Sequence, residues 1–341
     1  MRRTRLTVLW RAFFGQFFAS DTISSDEQLR LTIMGAIAFL LVPGLILLVQ
    51  LFFDYQGIVL RAIRHQQFEH LTDTIEWIAL VFVTYSAVTV GLVGAAAWDA
   101  LVFDRRDAMV LGPLPLPRAT IVTAKIAAVA SLMLAAALAV NLFNAVVFAF
   151  ATADRLGIVA LARHFAAHLT ATVGAAVFVF CALVVLRGVV GLIASPRAAA
   201  AVGTIVQFMF VLSVLGIVIL CPAVWRVPHR ALVNFTVTNA LPTSWFLGVF
   251  EWIRGSDRWY VRPLAVRALM GTAVLLAAAA LTSIIGFRAQ MQRALAASTE
   301  PGVGGGARVL RWIARRLAGR DRVAAAIADF VLLTLARNRA Q

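Results

Sequence analysis

The sequence predicts an all-α integral membrane protein with about six transmembrane helices. Of the 341 residues, 62% are hydrophobic and only 14% are charged, whereas soluble domains have about 45–50% apolar and about 25% charged residues. The mean hydropathy is +0.89. A soluble fold of this length cannot hide that much apolar surface, because a folded chain keeps a large area in contact with its solvent. The solvent around most of this chain is therefore lipid.

Six segments are long and apolar enough to cross a bilayer, which takes about 20 mostly apolar helical residues. The predicted spans are residues 31–53, 75–97, 121–151, 166–193, 199–225 and 264–287. Together they form a transmembrane domain over residues 27–298. The third and fourth spans exceed the minimum length, so we expect them to tilt or to extend into water.

Basic residues predict the orientation, because short loops rich in arginine stay in the cytoplasm. The chain has 31 basic and 16 acidic residues, a formal net charge of +15. Arginines precede the first span, follow the second and fill the tail 299–341. They also occur in the segment 226–262, which we expect to be external, but long loops obey the rule poorly. We expect a bacterial inner-membrane protein with both termini in the cytoplasm, whose basic surfaces contact anionic lipid rather than nucleic acid.

Two segments outside the spans have an amphipathic or short apolar pattern. In residues 1–26, leucine, tryptophan and phenylalanine recur at helical spacing among arginines, which predicts an interfacial helix on the cytoplasmic leaflet. Residues 239–250 contain Pro242, Trp245 and Phe246 and are too short to span the membrane. We expect a re-entrant or surface helix within the external segment 226–262.

Recognisable catalytic motifs are missing from the sequence. A phosphate-binding loop of the form G-x-x-x-x-G-K-[ST] is impossible, because the only lysine, Lys125, follows an alanine. His164 and His168 have the i, i+4 spacing of a metal-binding pair, but no third ligand is evident, which favours ordinary interfacial polar residues. We therefore expect no enzyme activity, no cofactor and no metal in this chain.

Few polar residues lie inside the predicted spans, and no carboxylate lies in the middle of one. This pattern argues against an ion-coupled carrier, because such carriers retain ionisable groups in their pathway. Asn141, Asn144 and Gln207 are the uncharged candidates for lining a pathway. The alternative, which we favour, is that they hydrogen-bond neighbouring helices.

The most informative segment lies between the second and third spans, at residues 99–118. Residues 104–107 read Asp-Arg-Arg-Asp, prolines follow at 113, 115 and 117, and Lys125 lies in the next span. Apolar residues interleave with these charges, which predicts a short amphipathic helix that the prolines end stiffly. The pattern favours docking against a partner protein over a merely solvated loop.

This order of residues resembles the intracellular loop of ABC-2 type exporter permeases, which forms a coupling helix in a groove of a separate ATPase subunit. The resemblance implies polar contacts to the ATPase by Asp104, Arg105, Arg106 and Asp107. It also implies a rigid turn at Leu114-Pro115-Leu116-Pro117-Arg118, and a lipid-headgroup or helix anchor at Lys125. The N-terminal amphipathic helix, six spans and the short segment before the last span are similar to that family as well.

By this resemblance, we expect a permease subunit of an ATP-driven exporter. The aromatic and aliphatic spans, which carry no carboxylate in their middle, favour a hydrophobic or amphipathic cargo. A P-loop ATPase subunit would supply ATP and Mg²⁺, and a second permease copy or half would complete the path. A different class of function is also compatible with the sequence, namely a non-transporting scaffold or anchor whose basic tail holds anionic lipid. An ion-coupled secondary transporter fits less well.

Overall fold

The computed structural model describes residues 2–17, 68–103, 116–153, 156–224 and 240–299, with Asp107 and some residues between 42 and 64. Seven helices account for most of these residues, and no strand occurs among them. They are α1 (Arg2–Gln16), α2 (Phe68–Ala96), α3 (Arg118–Ala153), α4 (Ile158–Ile193), α5 (Pro196–Val224), α6 (Pro242–Arg254) and α7 (Val261–Thr299). One compact unit covers residues 1–290, and of the second, residues 291–341, only the end of α7 is described.

Five helices contain stretches long and apolar enough to cross a membrane. These candidate spans are Leu71–Ala96, Arg118–Ala153, Ile158–Ile193, Ala198–Ile217 and Val261–Ala289. They correspond to the second to sixth predicted spans, so the prediction of an all-helical chain built from apolar, membrane-compatible helices is confirmed. The first predicted span lies mostly outside the described residues. Its residues 44–49 are helical, and Leu47 there is completely buried.

The predicted fourth span, residues 166–193, lies within α4, which begins at Ile158. Near the start of α4, His164 Nδ1 lies 2.9 Å from Thr152 Oγ1 at the end of α3. The chain enters α4 through Gly157, whose φ of 89° is in the left-handed region that glycine adopts without strain.

Helix α4 lies at the centre of the packing and contacts α2, α3, α5 and α6. Ala167, Ala171 and Ala175 recur every fourth residue along one of its faces and are at most 1% exposed. Small side chains on one face let neighbouring helices approach closely, as in other membrane bundles. Large aromatic side chains from the neighbours, including Phe82 and Phe250, complete the buried core.

Helices α5 and α7 differ from α2 in how much of their apolar surface is covered. In the candidate spans, 67% of the window in Leu71–Ala96 is buried, against 11% in Ala198–Ile217 and 6% in Val261–Ala289. Phe208 and Leu212 of α5, with Met270 and Val274 of α7, are exposed. Outward apolar surface of this extent is compatible with lipid as the surrounding solvent.

Candidate functional site

Asp107, in the predicted docking segment 99–118, contacts Lys125 near the start of α3. Lys125 Nζ lies 3.3 Å from Asp107 Oδ2, and both side chains are almost completely buried. The ammonium also lies 4.9 Å from the ring centroid of Phe13 and 5.8 Å from that of Phe103. Because aromatic faces attract a cation, the two rings stabilise the buried ammonium of Lys125 together with Asp107.

Aromatic contacts bring three other parts of the chain to the same place. The ring of Phe103 lies 5.9 Å from that of Phe13 on α1 and 4.8 Å from that of Phe287 on α7. Helix α1 is further attached to α3 by Trp10, whose indole N–H donates to Ser131 Oγ at 3.0 Å. The start of α3 is therefore joined to α1, to α7 and to the turn that follows α2.

A second ion pair at this end lies at the surface. Arg187 of α4 donates from Nε to the carbonyl of Trp98 at 3.2 Å, and its Nη2 lies 3.4 Å from Asp99 Oδ1. The Asp99 side chain is 87% exposed. The indole N–H of Trp98 donates to the carbonyl of Ala199 at 3.2 Å, which ties this turn to α5.

We call this group of residues the Lys125 end. It comprises Phe13, Trp98, Asp99, Phe103, Asp107, Lys125 and Arg187.

Only part of the predicted ATPase-contacting set falls on described residues. The predicted site residues outside them are Asp104, Arg105, Arg106, Leu114 and Pro115. Pro117 and Arg118 lie at the start of α3 and are exposed. Asp107 is 7% exposed and paired within the chain, and Lys125 is 3% exposed. Of the two roles that the resemblance offered for Lys125, this geometry fits the helix anchor rather than a lipid-headgroup contact.

The candidate pathway residues take part in hydrogen bonds within and between the helices. Asn141 Nδ2 donates to Ser86 Oγ at 2.7 Å, and Ser86 donates to the carbonyl of Thr172 at 2.9 Å, which links α2, α3 and α4. Gln207 of α5 donates to the carbonyl of Ala95 at 2.8 Å. Asn144 donates to Val140 within its own helix. Interhelical bonding thus describes two of the three, and a role in a pathway stays a prediction.

The short segment before the last span is helical and packs within the bundle. Helix α6 contacts α2 and α4, with Pro242 in its first turn and Phe246 only 4% exposed. The half-buried Trp245 lies edge to face with Phe178, at 5.8 Å between ring centroids. The helix ends at Gly255, whose φ of 90° suits glycine. Its 13 residues are too few to span a bilayer, as predicted.

A second cluster of charges, which the sequence did not predict, lies where α6 meets α2. Glu76 and Glu251 are both completely buried. Arg254 Nη2 lies 2.7 Å from Glu251 Oε2 and 3.7 Å from Glu76 Oε1. One guanidinium therefore lies between a carboxylate of its own helix and one of α2.

Residues that follow α6 also belong to this cluster. Arg258 Nη1 lies 2.7 Å from Glu76 Oε1, and Arg258 Nη2 donates to Asp73 Oδ1 at 2.8 Å. The hydroxyl of Tyr260 donates to Glu76 Oε2 at 2.7 Å. We call Asp73, Glu76, Glu251, Arg254, Arg258 and Tyr260 the Glu251 end.

The spacing of charged residues in the sequence could have indicated this cluster. Asp73 and Glu76, and likewise Glu251 and Arg254, are spaced by three residues and so share a helix face. Arginines in the segment 226–262 were treated as exceptions to the charge rule of membrane loops. Arg254 and Arg258 instead have local carboxylate partners, so their charges need no explanation from membrane orientation.

The length of α2 separates the two ends. About 20 helical residues run from Glu76 to Ala96, just before the Lys125 end, which corresponds to about 30 Å at 1.5 Å per residue. This is the thickness of a bilayer's hydrocarbon core. In the described part of the chain, the Lys125 end and the Glu251 end are therefore separated along α2 by about the thickness of this hydrocarbon core.

His164 and His168, whose spacing is that of a metal-binding pair, have separate environments. His164 Nδ1 lies 2.9 Å from Thr152 Oγ1, whereas the ring of His168 stacks on Phe148 at 4.2 Å between centroids. Among the described residues, no group of three His, Cys, Asp or Glu side chains could hold a metal ion. The geometry fits polar side chains accommodated within helix packing.

An apolar cavity of about 110 Å³ borders the Lys125 end. Its lining includes Phe103, Lys125, Cys181 and Leu276. Sites for drug-sized ligands occupy about 300–1,000 Å³. This cavity is therefore too small to hold a drug-sized ligand.

Comparison with known proteins finds no matching family model, no matching curated protein and no matching solved structure.

Proposed function

We propose that this chain is the membrane-spanning permease subunit of an ATP-driven exporter, with a separate P-loop ATPase subunit that docks on residues 104–118. The observation that carries the proposal is the buried ion pair between Asp107 and Lys125. Separating the partners of a buried pair costs several kcal/mol, so the pair resists stretching. A push on the docking segment would therefore move α3, and with it α1, whose Phe13 lies against the same ammonium.

The proposed docking residues divide into two roles. Asp104, Arg105 and Arg106 present charge to the ATPase, and Pro115 and Pro117 stiffen the exit of the segment. Asp107 and Lys125 transmit the movement into the helices. ATP and Mg²⁺ bind the ATPase subunit, and switching requires that this subunit bind the two permease states with different affinity.

The rest of the architecture follows from the same proposal. The Lys125 end faces the cytoplasm, α1 is the interfacial elbow helix, and the segment 31–53 supplies a sixth span. A second permease copy or half completes the path. We propose a hydrophobic or amphipathic cargo, because the uncharged polar groups Asn141 and Gln207 are engaged in bonds between helices.

The test is purification of the tagged chain from its native membrane in mild detergent, with co-purifying proteins identified by mass spectrometry. The test variant carries Arg105→Glu and Arg106→Glu. The matched control carries Arg315→Glu and Arg316→Glu, which makes the same change of charge in the basic tail. We expect a P-loop ATPase with the original chain and with the tail control, and its loss with the loop variant.

Two results would overturn the proposal. Loss of the partner with the tail variant alone would favour a scaffold or anchor that works through its basic tail. Recovery of no ATPase in any sample, under conditions that keep a known transporter complex intact, would remove the basis for an ATP-driven permease.

A further inference from the structure

Two completely buried carboxyl groups of the Glu251 end, those of Glu76 and Glu251, contact the same guanidinium, that of Arg254. Glu76 has further partners, including Arg258 and the Tyr260 hydroxyl. Because a buried charge is costly unless it is paired and hydrogen-bonded, the charge state of Glu251 depends on the partners of its own two oxygens.

Of the two completely buried carboxyl groups, Glu251 has the fewer charged partners. Its Oε2 lies 2.7 Å from Arg254 Nη2, whereas its Oε1 is buried without a hydrogen-bond partner. Glu76 Oε1 also lacks a partner with hydrogen-bond geometry, but it lies 2.7 Å from Arg258 Nη1, and Glu76 Oε2 accepts from the Tyr260 hydroxyl at 2.7 Å. A buried oxygen that carries charge without a donor pays the full desolvation penalty, and a proton on that oxygen removes the charge.

Electrostatics support the same assignment. Burial raises the pKa of Glu251 to about 7, with a further increase from Glu76, while Arg254, the Ser256 hydroxyl and Arg258 oppose the shift. Helix α6 packs against α2 and α4. Among the described residues, the titratable and charged groups near Glu251 are Asp73 and Glu76 on α2, Arg163 and His164 on α4, Arg254 on α6, Arg258 and Tyr260 beyond it, and the buried Tyr55, which interacts with Arg254.

We propose that Glu251 is a proton-binding site, with the proton on Oε1, and that release of this proton to water loosens the contact of α6 with α2. The neutral acid places no charge on the buried, unpartnered Oε1. The ionised form adds a buried charge beside Glu76, and the two helices then bear like charges at their contact. This site does not depend on the proposed role in export.

The test is infrared difference spectroscopy of the full chain in lipid nanodiscs between pH 5.5 and 8.5. Exposed carboxyls, with pKa values of about 4, are already ionised over this range. We expect the carbonyl band of a protonated carboxylic acid to disappear with a midpoint near pH 7. Glu251→Gln should abolish the band, whereas Asp257→Asn, at an exposed carboxylate in the next turn, should leave it unchanged.

Thermal stability supplies an independent measurement. The folded-state pKa of Glu251 lies above its ordinary value of 4.5, so the folded state holds the proton over a range where the unfolded chain has released it. Stability should therefore fall as pH rises from about 4.5 to about 7 and then become level. Glu251→Gln should remove this component of the slope, and Asp257→Asn should keep it.

Three observations would overturn the proposal. The first is that the original chain shows no titrating acid band in this range. The second is that the band survives Glu251→Gln. The third is that Glu76→Gln abolishes the band while Glu251→Gln leaves it, which would place the proton on Glu76.

Discussion

The two ends of the helices solve the same problem, the burial of charge in an apolar protein, in different ways. At the Lys125 end, one ammonium meets one carboxylate inside a shell of aromatic rings, and the more exposed pair of Arg187 and Asp99 stands apart. At the Glu251 end, the two guanidiniums of Arg254 and Arg258 are shared among three carboxylates. The ion pair at the Lys125 end fixes the contact of Asp107 with α3, whereas the Glu251 end contains a buried carboxyl oxygen without a hydrogen-bond partner, which we expect to respond to pH.

The difference also separates the mechanical and chemical roles that we assign. The Asp107–Lys125 pair joins a segment between helices to the start of α3, as a rigid connection requires. The Glu251 end joins the short helix α6 to the long helix α2, and we propose that its charge changes with the proton on Glu251. The effects of substitutions at the Lys125 end should therefore not change with pH near neutrality. The effects of substitutions at the Glu251 end should change with pH.

The largest effect should follow from Lys125→Met. This substitution removes the ammonium and leaves the buried Asp107 carboxylate without it, which we expect to lower the free energy of unfolding by about 3–5 kcal/mol. Denaturant titration of the purified chain in micelles measures the loss. The double variant Lys125→Met with Asp107→Leu is the control, because replacing both partners by apolar residues is often close to neutral. Equal losses in the two variants would show that the ion pair does not stabilise the contact between Asp107 and the start of α3.

Arg254→Gln should have the next largest effect, and it should depend on pH. Loss of a charged hydrogen-bond partner costs about 1.5–3 kcal/mol, and we expect that range at pH 8, where Glu251 is ionised. At pH 6 the cost should be smaller, because Glu251 takes up a proton. The same titration at both pH values measures the difference. A cost that does not change with pH would contradict the contrast between the two ends.

Gly248→Ala should test the packing that supports the Glu251 end. A Cβ at this position would lie 2.5 Å from Leu264 Cβ and 2.7 Å from the backbone nitrogen of Ala265. The start of α7 would have to move away from α6, at a cost of about 1–3 kcal/mol. Gly216→Ala in α5 is the matched control, because a Cβ there meets nothing within 4 Å. Alanine should stabilise that helix by about 0.5–1 kcal/mol. The midpoint temperature of thermal unfolding should therefore fall for Gly248→Ala and rise for Gly216→Ala.

The smallest effect should come from Asp99→Asn. The Asp99 side chain is 87% exposed, and its contact to Arg187 is 3.4 Å long. Exposed pairs contribute less than about 1 kcal/mol, and salt screens them. Denaturant titration at low and high salt should show a slight loss only at low salt. A loss as large as that for Lys125→Met would mean that exposure does not explain the difference between the two pairs.

Helix type and approximate span positions were predictable, because length and apolar composition are properties of about 20 consecutive residues. The start of α4 at Ile158 lies before the predicted span, since a count of apolar residues does not show where helical hydrogen bonding begins. For the candidate site, the sequence identified Lys125 and Asp107 as important but not as each other's partners. It missed the Glu251 end, whose pairs join residues up to 185 positions apart.

Sequence alone determined that this chain is helical, apolar enough for lipid, and charged mainly outside its long apolar stretches. Each of these properties is local, because a run of apolar residues favours a helix and excludes water wherever the run lies. Tertiary packing decided which charges meet, because α6 brings Glu251 and Arg254 against Glu76 on α2. A carboxyl's environment depends on the neighbours that exclude water from it, and those neighbours come from distant parts of the chain.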